Sequence, residues 1–153
     1  MIRGYAAIGL DNPKNGVNVG GVMRAAHCYR AGLVVIGGPR RTKLLRNPTD
    51  TMQAYRHLPT LWVEDVLGSI PFDCVPIAVD LLDGATALPE FVHPERAFYV
   101  FGAEDATLGR RIVDRCARKV FVPTQHCMNL AATVNVVLYD RMAKSAGQRR
   151  IAA

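Results

Sequence analysis

Short, nearly uninterrupted apolar runs punctuate this chain: Tyr5 to Leu10, Leu33 to Ile36, Val75 to Leu82, Ala97 to Phe101 and Lys119 to Val122. A strand with one wet face alternates apolar and polar residues, whereas a strand apolar at consecutive positions must be covered on both faces. Segments of helical character separate the runs: Val17 to Arg30 closed by Gly32, Glu64 to Ser69, Gly109 to Ala117 and Asn129 to Ser145, with shorter elements at Thr51 to His57 (helix) and Leu61 to Val63 (strand). Gly37-Gly38-Pro39 stops the second strand. Strands alternating with helices predict an α/β architecture, a mainly parallel sheet flanked by helices. With 153 residues, 1–153 is expected to form a single domain large enough to stand without staples.

Composition removes several function classes. No run approaches the roughly 18 apolar residues of a membrane span, and residues 1–14 lack the order of a signal peptide, so a cytoplasmic protein is expected. Cys28, Cys74, Cys116 and Cys127 occur singly, which indicates neither a zinc site nor a disulfide framework and predicts reduced, mostly buried thiols. His27, His57 and His93 show no metal-ligand spacing, and no glycine-rich loop for a nucleoside triphosphate is present. A net charge of +6 favours polyanionic partners.

Three segments carry the chemistry. The first, Asn15 to Ala26, follows the first strand and contains Asn18, Gly20 and Arg24. The second, Phe101 to Gly109, contains Gly102, Glu104 and Leu108. The third runs from Gln125 through Cys127-Met128-Asn129 into a helix that reaches Leu138-Tyr139-Asp140. Asn129 has the strongest claim among the polar side chains to a place in a catalytic site, with helix capping as the competing reading, and a loop entering a helix offers unpaired backbone donors to a ligand. In order, these segments resemble the three motifs of the SpoU branch of the SPOUT methyltransferases, over nearly the whole chain. Two positions depart from the pattern. Thr107 stands where the family usually has glycine, which is unfavourable if the turn needs a positive φ. Cys127 stands where it usually has serine, a change that a backbone contact would survive.

The resemblance implies a C-terminal trefoil knot, a homodimer, and transfer of a methyl group from S-adenosylmethionine to a ribose 2′-hydroxyl of RNA. The loops near Val79, Gly102, Val122, Cys127 and Met128 would hold the cofactor, with no metal required. Arg24 is implied in catalysis. A guanidinium stays protonated, so it is read as a fork for the adjacent phosphate and the developing alkoxide rather than as a base. Asn18 is expected to orient Arg24 or bind RNA, with helix capping as the plainer reading. Glu104 is expected to orient Arg24, Asn129 or substrate. An ion-paired helix arginine and a surface carboxylate are the plainer readings of Arg24 and Glu104.

Arg40, Arg41, Lys43 and Arg46, with Lys144, Arg149 and Arg150, form a candidate RNA footprint, a solvated charged face being the alternative. Adjacent His126 and Cys127 invite a thiol-nucleophile reading, but neighbours in sequence need not meet and no oxyanion loop accompanies them. Size and the Cys-Met-Asn form of the third motif are similar to the minimal members that modify tRNA, which favours tRNA over rRNA. A knotted enzyme methylating a base nitrogen and a non-catalytic knotted RNA-binding protein share these features.

Overall fold

The computed structural model describes residues 4–45 and 56–151. Among them, seven strands form one sheet: β1 (Tyr5–Asp11), β2 (Leu33–Gly37), β3 (Thr60–Trp62), β4 (Val75–Val79), β5 (Thr86–Ala87), β6 (Arg96–Phe101) and β7 (Arg118–Phe121). Their order is β3-β2-β1-β6-β4-β7-β5, and every neighbouring pair is parallel. Four helices accompany them, α1 (Gly16–Cys28), α2 (Arg41–Leu45), α3 (Arg110–Val113) and α4 (Leu130–Ile151).

The period of two along each strand sorts the apolar side chains into two cores. Ile8, Leu10, Ile36, Tyr99 and Phe101 pack with Val22 and Met23 of α1 and with Val134, Val137 and Leu138 of α4. Ala7, Val35, Phe98 and Val100 face the other way, onto Val66, Leu67, Leu108 and Ile112. Both faces are therefore dry, as consecutive apolar positions require. Each fully buried aliphatic side chain contributes on the order of 2 kcal/mol, so the two cores fix the register of the central strands.

Several boundaries differ from expectation, each for a local reason. Helix α1 stops before Gly32: Arg30 adopts φ 57°, while the amides of Arg30 and Ala31 bond the carbonyls of His27 and Ala26. That pattern is a Schellman closure built on a non-glycine residue. Gly32 is needed for space instead, because a Cβ there would meet the Tyr5 ring at 2.2 Å. Strand β4 ends at Val79, where Asp80 turns its carboxylate onto the Leu81 amide. Glu64 to Ser69 condenses into a 3-10 turn, Val66–Ser69, capped by Asp65. Helix α3 covers only Arg110–Val113, whereas α4 continues to Ile151. Strand β5 has two residues and no sequence pattern to announce it. Of the expected Thr51 to His57 helix, residues 51–55 lie outside the described residues.

Strands β1, β2 and β3 build outward in one direction, while β4 lies on the other side of β6, which inserts next to β1. Such a reversal of strand order leaves a crevice at the carboxyl ends of the strands, where ligands of open α/β sheets bind. After β7 the chain crosses that edge to reach α1, against which α4 packs. This path is consistent with the C-terminal threading that the resemblance implies. No helix among the described residues is long and apolar enough to cross a membrane.

Candidate active site

The three motifs meet at the carboxyl edge, and hydrogen bonds run between them in a fixed direction. Glu104 follows β6. Its Oε2 accepts the Lys14 amide at 2.7 Å, and its Oε1 accepts the Asn15 amide at 3.3 Å and Asn18 Nδ2 at 2.7 Å. Asn18 Oδ1 then accepts Asn129 Nδ2 at 2.9 Å, and Asn129 Oδ1 accepts the Ala132 amide at 3.2 Å, capping α4. A carboxylate can only accept, so Asn18 must present its amino group to Glu104 and its oxygen to Asn129. Asn129 must then donate to Asn18, which leaves its own oxygen for the helix. The orientation of each amide thus follows from the chemistry of its neighbours.

Close helix packing allows this meeting. A Cβ on Gly21 of α1 would lie 2.8 Å from the Ala131 Cβ of α4, so the helices touch at a point where both residues are small. The start of α1 is capped by Asn15, whose Oδ1 accepts the Val17 amide at 2.8 Å. Asn18 is therefore released from the capping role and spans the gap between the other two motifs.

Burial alone would raise the Glu104 carboxyl, but the hydrogen bonds from Asn18 and from the Lys14 and Asn15 amides outweigh it and hold the group below the usual carboxylate range. Glu104 is an anion at neutral pH, occupied by three donors and poorly suited to take a proton. It orients Asn18 and, through it, Asn129. Arg24, far along α1, is exposed and makes no hydrogen bond or ion pair among the described residues, so neither Asn18 nor Glu104 orients it. The ion-paired reading of Arg24 does not hold among these residues.

The expected cofactor positions lie on neighbouring strand ends. Val79 is buried at the end of β4, Gly102 follows β6, and Val122 follows β7 and packs against the core. Cys127 is exposed and Met128 half-buried. Asp80, not singled out in the sequence, joins two of these ends: its amide donates to the Val120 carbonyl at 3.0 Å and its Oδ2 accepts the Leu108 amide at 2.8 Å. Gly102 serves its own turn, since a Cβ there would press on the Ala106 carbonyl and the Leu108 Cγ, both at 3.3 Å. Among the described residues the only non-glycine residues with positive φ are Asn12, Arg30 and Asp73, so Thr107 sits in its turn without strain.

Residues 123–128 donate no backbone hydrogen bond to the described chain, and Thr124 Oγ1 folds onto the His126 carbonyl at 2.7 Å. Residues 123–127 are exposed, between the half-buried Val122 and Met128, so backbone groups of this loop are open to a ligand. His126 and Cys127 make no hydrogen bond to each other, which removes the thiol-nucleophile arrangement. No group of three or more His, Cys, Asp or Glu side chains among the described residues is placed to hold a metal ion.

Several cations of the expected RNA footprint are engaged within the chain. Arg40 pairs with Asp105, Arg41 donates to the Gly38 carbonyl and to Glu64, and Lys144 is held by the Leu88 and Phe91 carbonyls and Asp140. Lys43 is exposed, while Arg46 and the side chains of Arg149 and Arg150 lie outside the described residues. The thiols also differ from expectation, with Cys74 buried, Cys116 half-buried, and Cys28 and Cys127 exposed. Burial raises Cys74 and pushes Cys116 up to about 11, which makes both inert.

Solved structures share this fold at low identity. A TrmH/SpoU tRNA modifying enzyme from A. aeolicus superposes with a TM-score of 0.80 at 15% identity, covering 96% of this chain and 80% of that one. A structure described as giving insights into the 2-OH methylation of C/U34 on tRNA has a TM-score of 0.74 at 20% identity, covering 94% and 98%. AviRb, a SpoU methyltransferase from Streptomyces viridochromogenes solved in complex with AdoMet, has a TM-score of 0.78 at 17% identity, covering 94% and 59%. The chain spans about three fifths of the length of AviRb and of an rRNA methyltransferase from Sinorhizobium meliloti, 59% and 57% respectively. No curated protein matches at a significant level. The model of the SpoU rRNA methylase family matches residues 5–139, the span that contains the whole relay from Asn18 through Glu104 to Asn129, and the chain belongs to that family.

Proposed function

We propose that this protein is a cytoplasmic, homodimeric methyltransferase that moves a methyl group from S-adenosylmethionine to a ribose 2′-hydroxyl of RNA, with tRNA preferred over rRNA. The observation that carries this reading is the Glu104–Asn18–Asn129 relay, which brings the three family motifs to one strand edge and leaves Arg24 exposed, without a partner among the described residues. The preference for tRNA is supported by the near-complete mutual coverage with the C/U34 structure, 94% and 98%. The apolar side chains of Val17, Val136 and Tyr139, exposed on α1 and α4, support a second copy packing on these helices.

When bound, the cofactor supplies an electrophilic methyl group on its sulfonium. The loops after Val79, Gly102 and Val122, with Cys127 and Met128, would grip it largely through backbone, so cysteine in place of the family's serine at Cys127 is tolerated. Alignment of methyl carbon and hydroxyl oxygen is the main requirement of such a displacement, and good alignment is worth on the order of 7 to 11 kcal/mol. The relay supplies it by locking the start of α4 against α1 and the loop after β6. Arg24 would grip the phosphate beside the target ribose and stabilise negative charge as the hydroxyl gives its proton to solvent water, and the methyl group's former carrier would leave as a neutral thioether. Because Arg24 is exposed, has no partner among the described residues of its own chain and is distant in sequence from the cofactor loops, it is assigned to the site of the opposite subunit.

The test is nucleoside analysis of RNA incubated with methyl-labelled cofactor. The label is expected in a 2′-O-methylnucleoside, more from tRNA than from rRNA. A methylated base would replace this reading with base-nitrogen methylation. RNA binding without transfer of label would make the protein a non-catalytic binder.

A further inference from the structure

The turn after β2 lies against the candidate site. Asn12, at φ 55°, accepts the Arg40 amide through Oδ1 at 3.0 Å. Gly38, at φ 86°, packs so closely on Asn12 that a Cβ would meet the Asn12 Cβ at 2.6 Å. The turn is thereby seated on the loop that leaves β1, and the Arg40 side chain is aimed at the loop after β6. There its Nη1 and Nη2 donate to the two oxygens of Asp105 at 3.0 and 3.1 Å. Lys14 Nζ stands 3.6 Å from the same carboxylate. Asp105 directly follows Glu104, whose own oxygens are already taken by the Lys14 and Asn15 amides and by Asn18.

A guanidinium fork that holds a carboxylate by two parallel bonds matches two oxygens of a phosphodiester equally well. The pair stands partly open, with side-chain exposures of 37% for Arg40 and 35% for Asp105. Ion pairs this open are worth at most about five-fold in an equilibrium, so exchanging one anion for another costs little. We propose that Asp105 is an internal stand-in for an RNA phosphate: it holds Arg40 and Lys14 in the free protein, and RNA binds by exchanging a backbone phosphate for this carboxylate. The inference rests on the RNA-methyltransferase reading. It gives the basic turn a phosphate subsite beside the relay and explains why a chain of net charge +6 carries paired rather than bare cations there. The exchange also sets a threshold. A polyanion anchored at other phosphates displaces Asp105, whereas an isolated anion competes with a carboxylate that is already in place.

Titration of unfractionated tRNA against wild type, Asp105→Asn, Arg40→Ala and the double variant tests this, with salt raised from about 50 to about 200 mM. Melting temperatures verify that each variant is folded. Asp105→Asn is expected to bind roughly two- to five-fold tighter, with a salt slope steeper by up to about one. Arg40→Ala is expected to bind more weakly, and most of the gain from Asp105→Asn should vanish in the double variant, since the carboxylate acts through Arg40. A merely structural pair predicts the opposite sign, because breaking it would loosen the turn. If wild type binds tRNA and folded Asp105→Asn binds equally or more weakly, the stand-in role is overturned while the RNA reading stands. If wild type fails to bind tRNA even at low salt, the RNA reading falls and the stand-in with it.

Discussion

Helix α4 is tied to the sheet at two places, and the two are built on opposite principles. At its start, Asn129 joins an exposed relay with Asn18 and Glu104. Further along, His93 bridges the Tyr99 hydroxyl at 2.6 Å and Asp140 Oδ2 at 2.8 Å, and Lys144 pairs with Asp140 at 2.7 Å. Beside them the buried Arg141 donates to the carbonyls of Pro94 and Glu95, both at 2.6 Å, and to the Tyr99 hydroxyl at 3.2 Å. The second network is closed: no buried side-chain nitrogen or oxygen among the described residues lacks a partner. The first ends in open loops and leaves Arg24 unpartnered among the described residues. Low dielectric makes every unmet group costly in the closed network, whereas water keeps unmet groups cheap in the open one. One helix thus carries a structural anchor and, on the proposed reading, a site that other molecules complete; the third motif supplies a residue to each, Asn129 to the relay and Asp140 to the anchor.

The largest expected effect is on the open side. Arg24→Ala should lower kcat by about 10² to 10³ in a methyl-transfer assay while leaving the melting temperature within about 2 °C, because no described residue bonds to the side chain. A loss of stability comparable to the loss of rate would contradict the division. On the closed side, Arg141→Met should destabilise the fold by about 3 kcal/mol in urea titration, since it leaves the Pro94 carbonyl and the Tyr99 hydroxyl oxygen short of a donor and the Glu95 carbonyl with only the Tyr5 amide. Burial pushes the Tyr99 hydroxyl up to about 12, so it stays protonated and its oxygen simply loses the Arg141 donor.

Asn129 separates the two roles within one residue. Asn129→Ala removes the helix cap and should cost about 1 kcal/mol. Asn129→Asp keeps a capping oxygen but removes the donor that Asn18 requires, so stability should hold while activity falls. Equal activities for the Asn129→Asp variant and wild type would leave the relay without a role in positioning.

The smallest effect is on pH dependence. Burial lowers His93 in spite of the Asp140 hydrogen bond that favours its charged form, and Arg141 and Lys144 add to the lowering. The unfolded chain therefore binds a proton first as pH falls below about 6.5, and folding stability declines from there until His93 protonates in the native state. Glu104, held low in the fold, adds a second loss that starts near about 4.3. His93→Gln should flatten the melting-temperature profile between about pH 7 and 5 and leave the acid limb unchanged. An unaltered slope in that window would remove His93 from the anchor's electrostatics.

The sheet was legible because its central strands need two dry faces, and Ile8, Val34, Ala78 and Tyr99 are written accordingly. Elements without such a constraint were not. The two-residue β5 has no pattern, and the close of α1 on a left-handed Arg30 breaks the preference for glycine that pointed to Gly32. Asn18, Glu104 and Asn129 were readable as motif residues, but their mutual bonds join positions 86 and 111 residues apart and depend on topology. Asp80 escaped notice because one aspartate after a strand has no signature; its hold on the Leu108 amide exists only once β4 and β6 are neighbours. Lys144 and Arg40 were readable as part of an RNA footprint or a solvated face, but not as engaged cations, because sequence records a charge and not its partner.

The claim that the open site is completed from outside the chain is tested most directly by mixed dimers of Arg24→Ala with Gly102→Val. The first variant should bind S-adenosylmethionine and fail in transfer. The second should lose the cofactor, because branching at Gly102 deforms the turn against Ala106 and Leu108. If Arg24 serves the opposite subunit, each mixed dimer holds one site with an intact cofactor loop and an intact arginine, and roughly half of the wild-type rate should return. Verified heterodimers as inactive as their parents, or a monomer with full activity, would contradict the account.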